Sequence, residues 1–148
     1  MYSFTIEVSS TASLIIVIII VVLAIIAIFI TLPPYLLRIN VDENTISVNA
    51  PLFPGIRISK EQVVGIAVVN LKEREDLKPT VRLFGIGLPG CLVGWFKLVN
   101  GSKAYLALGK SSSEVVVIRL RDGSLVMLAP KDISKFISVL RDLGWFKS

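Results

Sequence analysis

The stretch FKLVNGSKAYLALGKSSSEVVVIRLRDGSLVML, residues 96–128, decides the fold class. Phe96 and Leu98, then Ala104, Leu106 and Leu108, then Val116, Ile118 and Leu120 recur at a period of two, the signature of half-buried strands. Asn100-Gly101 and Asp122-Gly123 divide these runs. Such dipeptides supply the left-handed backbone that a two-residue hairpin requires. The stretch therefore predicts consecutive antiparallel hairpins, ending in a strand over residues 124–128.

The same alternation extends upstream. Leu37, Ile39 and Val41 share one face, Asp42-Glu43-Asn44 is a turn cluster, and Ile46, Val48 and Ala50 alternate with Thr45, Ser47 and Asn49. Pro51 and Pro54-Gly55 interrupt the chain before Ile56 and Ile58. Ser59 and Gln62 have capping-box spacing, which predicts one helical turn. Val64, Ile66 and Val68 are expected on the inner face of a further strand ending near Asn70, and the charged residues 71–82 read as an exposed loop. About seven strands at this spacing predict a mainly-β domain, an antiparallel meander closing into a barrel or sandwich. Downstream, Ile133, Phe136, Ile137, Leu140 and Leu143 fall at helical spacing, with Pro130 suited to the first turn and Gly144 to the C-terminal cap. This predicts a capping helix over about 130–143 on a barrel over about 36–129.

Residues 12–32, ASLIIVIIIVVLAIIAIFITL, contain no charge, glycine or proline, and 16 of them are Leu, Ile, Val or Phe. At ~1.5 Å per residue they span roughly 30 Å, the thickness of a bilayer core. Ser9, Ser10, Thr11 and Ser13 suit the helix start, Pro33 and Pro34 its end, and Tyr35 the interface. The expectation is a single-pass cell-membrane anchor between a leader (residues 1–11) and a domain (residues 33–148). A cleaved signal peptide fits less well, since the leader has no Lys or Arg. The first basic residue after the apolar run is Arg38, so the positive-inside rule favours a cytoplasmic domain.

All 16 Lys and Arg follow Leu32, together with ten of the 11 acidic residues, a balance of +6. That suits proximity to anionic head groups. No basic run or aromatic–basic interleaving argues for nucleic acid. The chain has no His and a single Cys, Cys91, so the commonest general base and metal ligand is missing. No catalytic constellation, metal site or cofactor site is expected.

The run Arg82-Leu83-Phe84-Gly85-Ile86-Gly87-Leu88-Pro89-Gly90, followed by Gly94-Trp95-Phe96-Lys97-Leu98 and Asn100-Gly101, resembles the signature of the bacterial pleckstrin-homology-like (PH-like) domains, an R-x-x-G-x-G-x-P-G loop leading to a G-x-F strand. The resemblance covers about residues 36–143. It departs at Cys91, where the family has an aromatic residue, and at Ala129, where it has a helix-starting Ser. It implies a PH-like barrel or sandwich with a C-terminal helix, often membrane-anchored. The implied activity is non-catalytic: binding of a partner protein or of a second copy. A sensor of anionic lipid surfaces is the alternative, and a pilin-like assembly subunit a third.

Two sets of residues are candidates for contact. The glycine-rich segment, Gly85, Ile86, Gly87, Leu88, Pro89 and Gly90 with Trp95, either shapes a barrel corner or forms an apolar contact loop. Lys97, Lys103, Arg119 and Arg121 are expected on one outer face, as a solvated surface or a site for acidic head groups. The basic hairpin motif of inositide-binding PH domains is missing, so no inositide specificity is implied.

Overall fold

The computed structural model describes residues 1–31, 37–51, 53, 55–88, 90–109 and 113–146. The chain divides into two compact units, residues 1–35 and 36–148. In the first, residues 1–9 have no regular structure and α1 runs Ser10–Thr31. The Ser9 hydroxyl accepts the Ala12 N–H at 3.2 Å and caps the first turn. None of the 22 helical residues is buried, and α1 is long and apolar enough to cross a membrane. The roles expected of Leu32, Pro33, Pro34 and Tyr35 fall outside the described residues.

Among its described residues the second unit holds nine strands in two sheets, then a closing helix. Strands β1 (Arg38–Val41), β2 (Thr45–Asn49) and β3 (Ile56–Ser59) form an antiparallel sheet in that order. A 3-10 turn, Lys60–Gln62, follows, with the Gln62 Oε1 accepting the Ser59 N–H at 3.0 Å. The remaining strands are β4 (Val63–Asn70), β5 (Pro79–Leu88), β6 (Cys91–Leu98), β7 (Lys103–Gly109), β8 (Glu114–Leu120) and β9 (Leu125–Ala129). They build a sheet of order β4-β8-β9-β7-β6-β5. On β4 the expected inner face does not hold: Val63 is buried while Val64 and Val68 are exposed, with a register shift between Val63 and Gly65.

The described strands form two separate sheets packed as a sandwich, one of the two expected forms, and close no barrel. The strand order corrects the expected meander. The β8–β9 hairpin does not follow β7 in space: β8 pairs with β4, and β9 slots between β8 and β7, parallel to β7. Turn chemistry at Asp122-Gly123 specifies the hairpin, where Gly123 has φ +86°. It says nothing about where that hairpin docks.

Two apolar clusters explain the insertion. Ile46, Val48 and Ile58 from the small sheet meet Tyr105, Ala107, Val116, Ile118, Val126 and Leu128 on the near face of the large one. The far face carries Phe96, Leu98, Ala104, Leu106, Val115, Val117, Leu125 and Met127. The strands at the centre are thus apolar on both faces and demand neighbours on both sides. The far face is partly closed by the segment read as an exposed loop. A 3-10 turn, Glu75–Leu77, buries Leu77 there, pinned by the Val99 N–H to Lys78 carbonyl and Asn100 N–H to Asp76 carbonyl bonds. From Pro79 onward that segment is strand, tolerated because β5 is an edge.

The closing helix, α2, runs Ile133–Asp142. Its start lies slightly later than expected, after Pro130: Asp132 caps it by accepting the Lys135 N–H at 3.0 Å. Gly144 (φ +71°) ends it as expected, and turns the chain so that Trp145 becomes buried. The Trp145 indole N–H donates to the Asp42 carbonyl at 2.9 Å, and Lys60 Nζ donates to the Leu143 carbonyl at 2.8 Å. These two bonds clasp the C-terminal end of α2 to the first hairpin and to the 3-10 turn after β3.

A candidate interaction surface at the β5 edge

The glycine-rich segment is a hairpin, not a loop. Gly85 pairs with Gly94 across β5 and β6, at φ +131° and +126°. A Cβ on Gly85 would stand 2.1 Å from the Val93 carbonyl oxygen, and one on Gly94 would stand 2.2 Å from that of Phe84. The two glycines make room for each other's backbone, which is the corner-shaping role. Gly87 differs, since a Cβ there would meet only side-chain atoms at 3.6 Å or more. Gly90, at φ +89°, lies in the turn; Pro89 falls outside the described residues.

Register assigns the predicted residues to faces. Phe84, Trp95, Tyr105, Val126 and Ile118 form one row across the sheet, on the side that bears the small sheet. Val81, Lys97 and Lys103 form a neighbouring row on that same side. Arg119 aligns with Leu125, Ala104, Phe96 and Arg82 on the opposite side. Arg121 follows β8 in the turn, its N–H bonded to the Gln62 carbonyl. The four basic residues therefore do not share a face. Odd and even strand positions point oppositely, and β8 joins the sheet one position out of phase with Lys97 and Lys103.

What the fold does assemble is an aromatic and basic margin. Trp95 packs edge-on against Tyr105, with ring centroids 5.5 Å apart, and Lys103 Nζ sits 4.5 Å above the Trp95 ring. Burial of Tyr105 raises its phenol pKa to about 12. Beyond Trp95 the margin opens to solvent: Val81 is 52 %, Leu83 51 % and Phe84 63 % exposed. A register shift between Arg82 and Phe84 leaves Leu83 as an extra residue. That bulge re-aims the strand, so that successive apolar side chains stand outside. Since β5 is last in the sheet order, its outer backbone groups have no ladder partner among the described strands. Phe84 and Leu83 were not singled out as site residues in the sequence; an aromatic beside a glycine within an edge strand is the signal that could have found them.

Other places offer less chemistry. An open groove over the small sheet is lined by Asn40, Ser47, Asn49 and Arg57. Cys91 is half-buried, and burial pushes its thiol pKa upward, away from a reactive thiolate. Among the described residues no three His, Cys, Asp or Glu side chains cluster as a metal site would require.

A family model described as Bacterial PH domain matches residues 37–143. No curated protein and no solved structure matches the chain.

Proposed function

We propose for this chain, which belongs to the bacterial PH domain family, the role of a membrane-tethered, non-catalytic interaction module. It binds a partner protein or a second copy through the β5 edge. The observation that carries this is an unpaired ten-residue edge strand, Pro79–Leu88, with Val81, Leu83 and Phe84 exposed along it. Exposed apolar edges invite strand addition, in which backbone hydrogen bonds supply affinity and flanking side chains supply selectivity. A lipid surface offers no extended backbone to match such an edge, which is why an anionic-lipid sensor is the weaker reading. In this proposal α1 is the single-pass anchor, and the first basic residues after it hold the domain on the cytoplasmic side.

The test is site-specific photo-cross-linking of the full chain in its native membrane. A probe replacing Leu83 or Phe84 should give one discrete protein adduct, and a probe at the exposed Lys72 should not. Adducts to lipid alone at both edge positions would refute the reading.

A further inference from the structure

The charge around β5 specifies what kind of strand it takes. Strands β5, β6 and β7 contain three cations, Arg82, Lys97 and Lys103, and no carboxylate. Lys97 and Lys103 are direct cross-strand partners, a like-charge pair that costs stability. Lys103 is engaged by the Trp95 ring and lowers the pKa of the Asp122 carboxyl, whose hydrogen bonds from Ser124 lower it more. Neither Lys97 nor Arg82 has an ion-pair partner within 4.0 Å among the described residues. Both are exposed, on opposite faces, beside consecutive positions of the edge: Lys97 pairs with Val81, and Arg82 is itself on β5.

Resting on the reading of β5 as the contact edge, we infer that its occupant is an extended segment of another protein, acidic at one end and apolar at the other. A strand laid beside β5 lies about 10 Å from β6, two strand spacings away. A lysine and a glutamate reaching toward each other over the small Val81 close that gap. On the other face a neighbouring carboxylate meets Arg82 directly. Further along, Phe84 and Ile86 occupy the Trp95 side, and Gly85 and Gly87 leave the opposite side bare. The acidic end therefore belongs at Pro79–Arg82 and the apolar end at Phe84–Leu88. A second copy is the poorer occupant: its own β5–β7 surface brings three more cations and no carboxylate.

The experiment uses the full chain in neutral phosphatidylcholine nanodiscs and three capped eight-residue peptides of alternating valine and threonine. One carries two adjacent glutamates at one end, one carries two lysines there, and one is neutral. Fluorescence anisotropy of labelled peptide should show the acidic peptide binding at least tenfold tighter than the neutral one, and the lysine peptide weaker than both. Arg82→Glu with Lys97→Glu should invert that order without lowering the unfolding midpoint, since Lys97→Glu also relieves the repulsion with Lys103. A central proline in the acidic peptide should abolish binding. Equal binding of the acidic and neutral peptides would overturn the charge inference and leave the edge reading standing. Binding of none would overturn both. Acidic binding that survives the proline would show charge attraction without strand addition, and also overturns the inference. So would capture by phosphatidylglycerol vesicles, or dimerisation in sedimentation, that depends on Arg82 and Lys97 while no peptide binds.

Discussion

The centre of the large sheet and its β5 margin are built from similar residues to opposite ends. In the centre, Leu106, Ile118, Val126, Met127 and Leu128 are fully buried, and both faces are apolar. At the margin, Val81, Leu83 and Phe84 are just as apolar, yet each is more than half exposed. The centre is packing that a folded body cannot lose. The margin is apolar surface that the isolated body leaves uncovered, and surface of that kind marks contact. The difference teaches that apolarity serves stability at the flanked centre of this sheet, and the proposed reading gives it recognition at the β5 edge.

Substitution should separate the two regions by size of effect. Leu128→Ala, at the centre, should cost about 2–5 kcal/mol, because the surrounding sheet can close only part of the cavity. Denaturant unfolding in micelles would measure it, and a cost below about 1 kcal/mol would contradict the two-sided core. Gly94→Ala should come next, at roughly 2–4 kcal/mol, from a disfavoured positive φ plus collision with the Phe84 carbonyl. Gly87→Ala should be tolerated, and amide exchange on β5 and β6 would report the contrast.

Tyr105 links the centre to pH. Its phenol titrates at about 12 in the folded chain, against about 10 when unfolded. The neutral ring is the folded form, so its contribution is intact below pH 10 and drains as pH rises toward 12, by at most about 2–3 kcal/mol. Melting temperatures across that range should fall, and Tyr105→Phe should flatten the fall. The smallest change in stability belongs to the margin. Phe84→Ser should move the unfolding free energy by about 0.5 kcal/mol or less, while sharply reducing the cross-linked adduct at Leu83. A large loss of stability there would place Phe84 in the core and erase the contrast.

Much of the domain was legible before its structure. The hairpins at Asp42–Asn44, Asn100-Gly101 and Asp122-Gly123, the turn at Ser59–Gln62 and the glycine cap at Gly144 are local events, governed by residues within a few positions of one another. Segments that carry two opposed signals are less legible. Gly85–Gly94 looks like a loop because glycine weakens strands; only the pairing of the two glycines with each other shows why they are needed in one. Leu77 stands among charges, and its burial depends on a sheet face assembled from residues far along the chain. Trp145 lies beyond the last helical repeat, and its partner is the Asp42 carbonyl, 103 residues away.

Of the candidate surface, sequence supplied Trp95 with the glycine-rich segment, and Lys97 and Lys103 in a basic set with Arg119 and Arg121, which the register sends elsewhere. Parity along a strand can be read from sequence; the phase between two distant strands cannot.

Residue order alone therefore determined an apolar rod of bilayer length and a body of hairpins with one closing helix, since helix and turn formation depend on neighbours in the chain. Only the tertiary structure decided that β9 inserts beside β7, that β5 remains an edge, and that Phe84 faces solvent next to Trp95. Those outcomes depend on which apolar faces find each other across the folded body, a competition among long-range pairings that no local preference resolves.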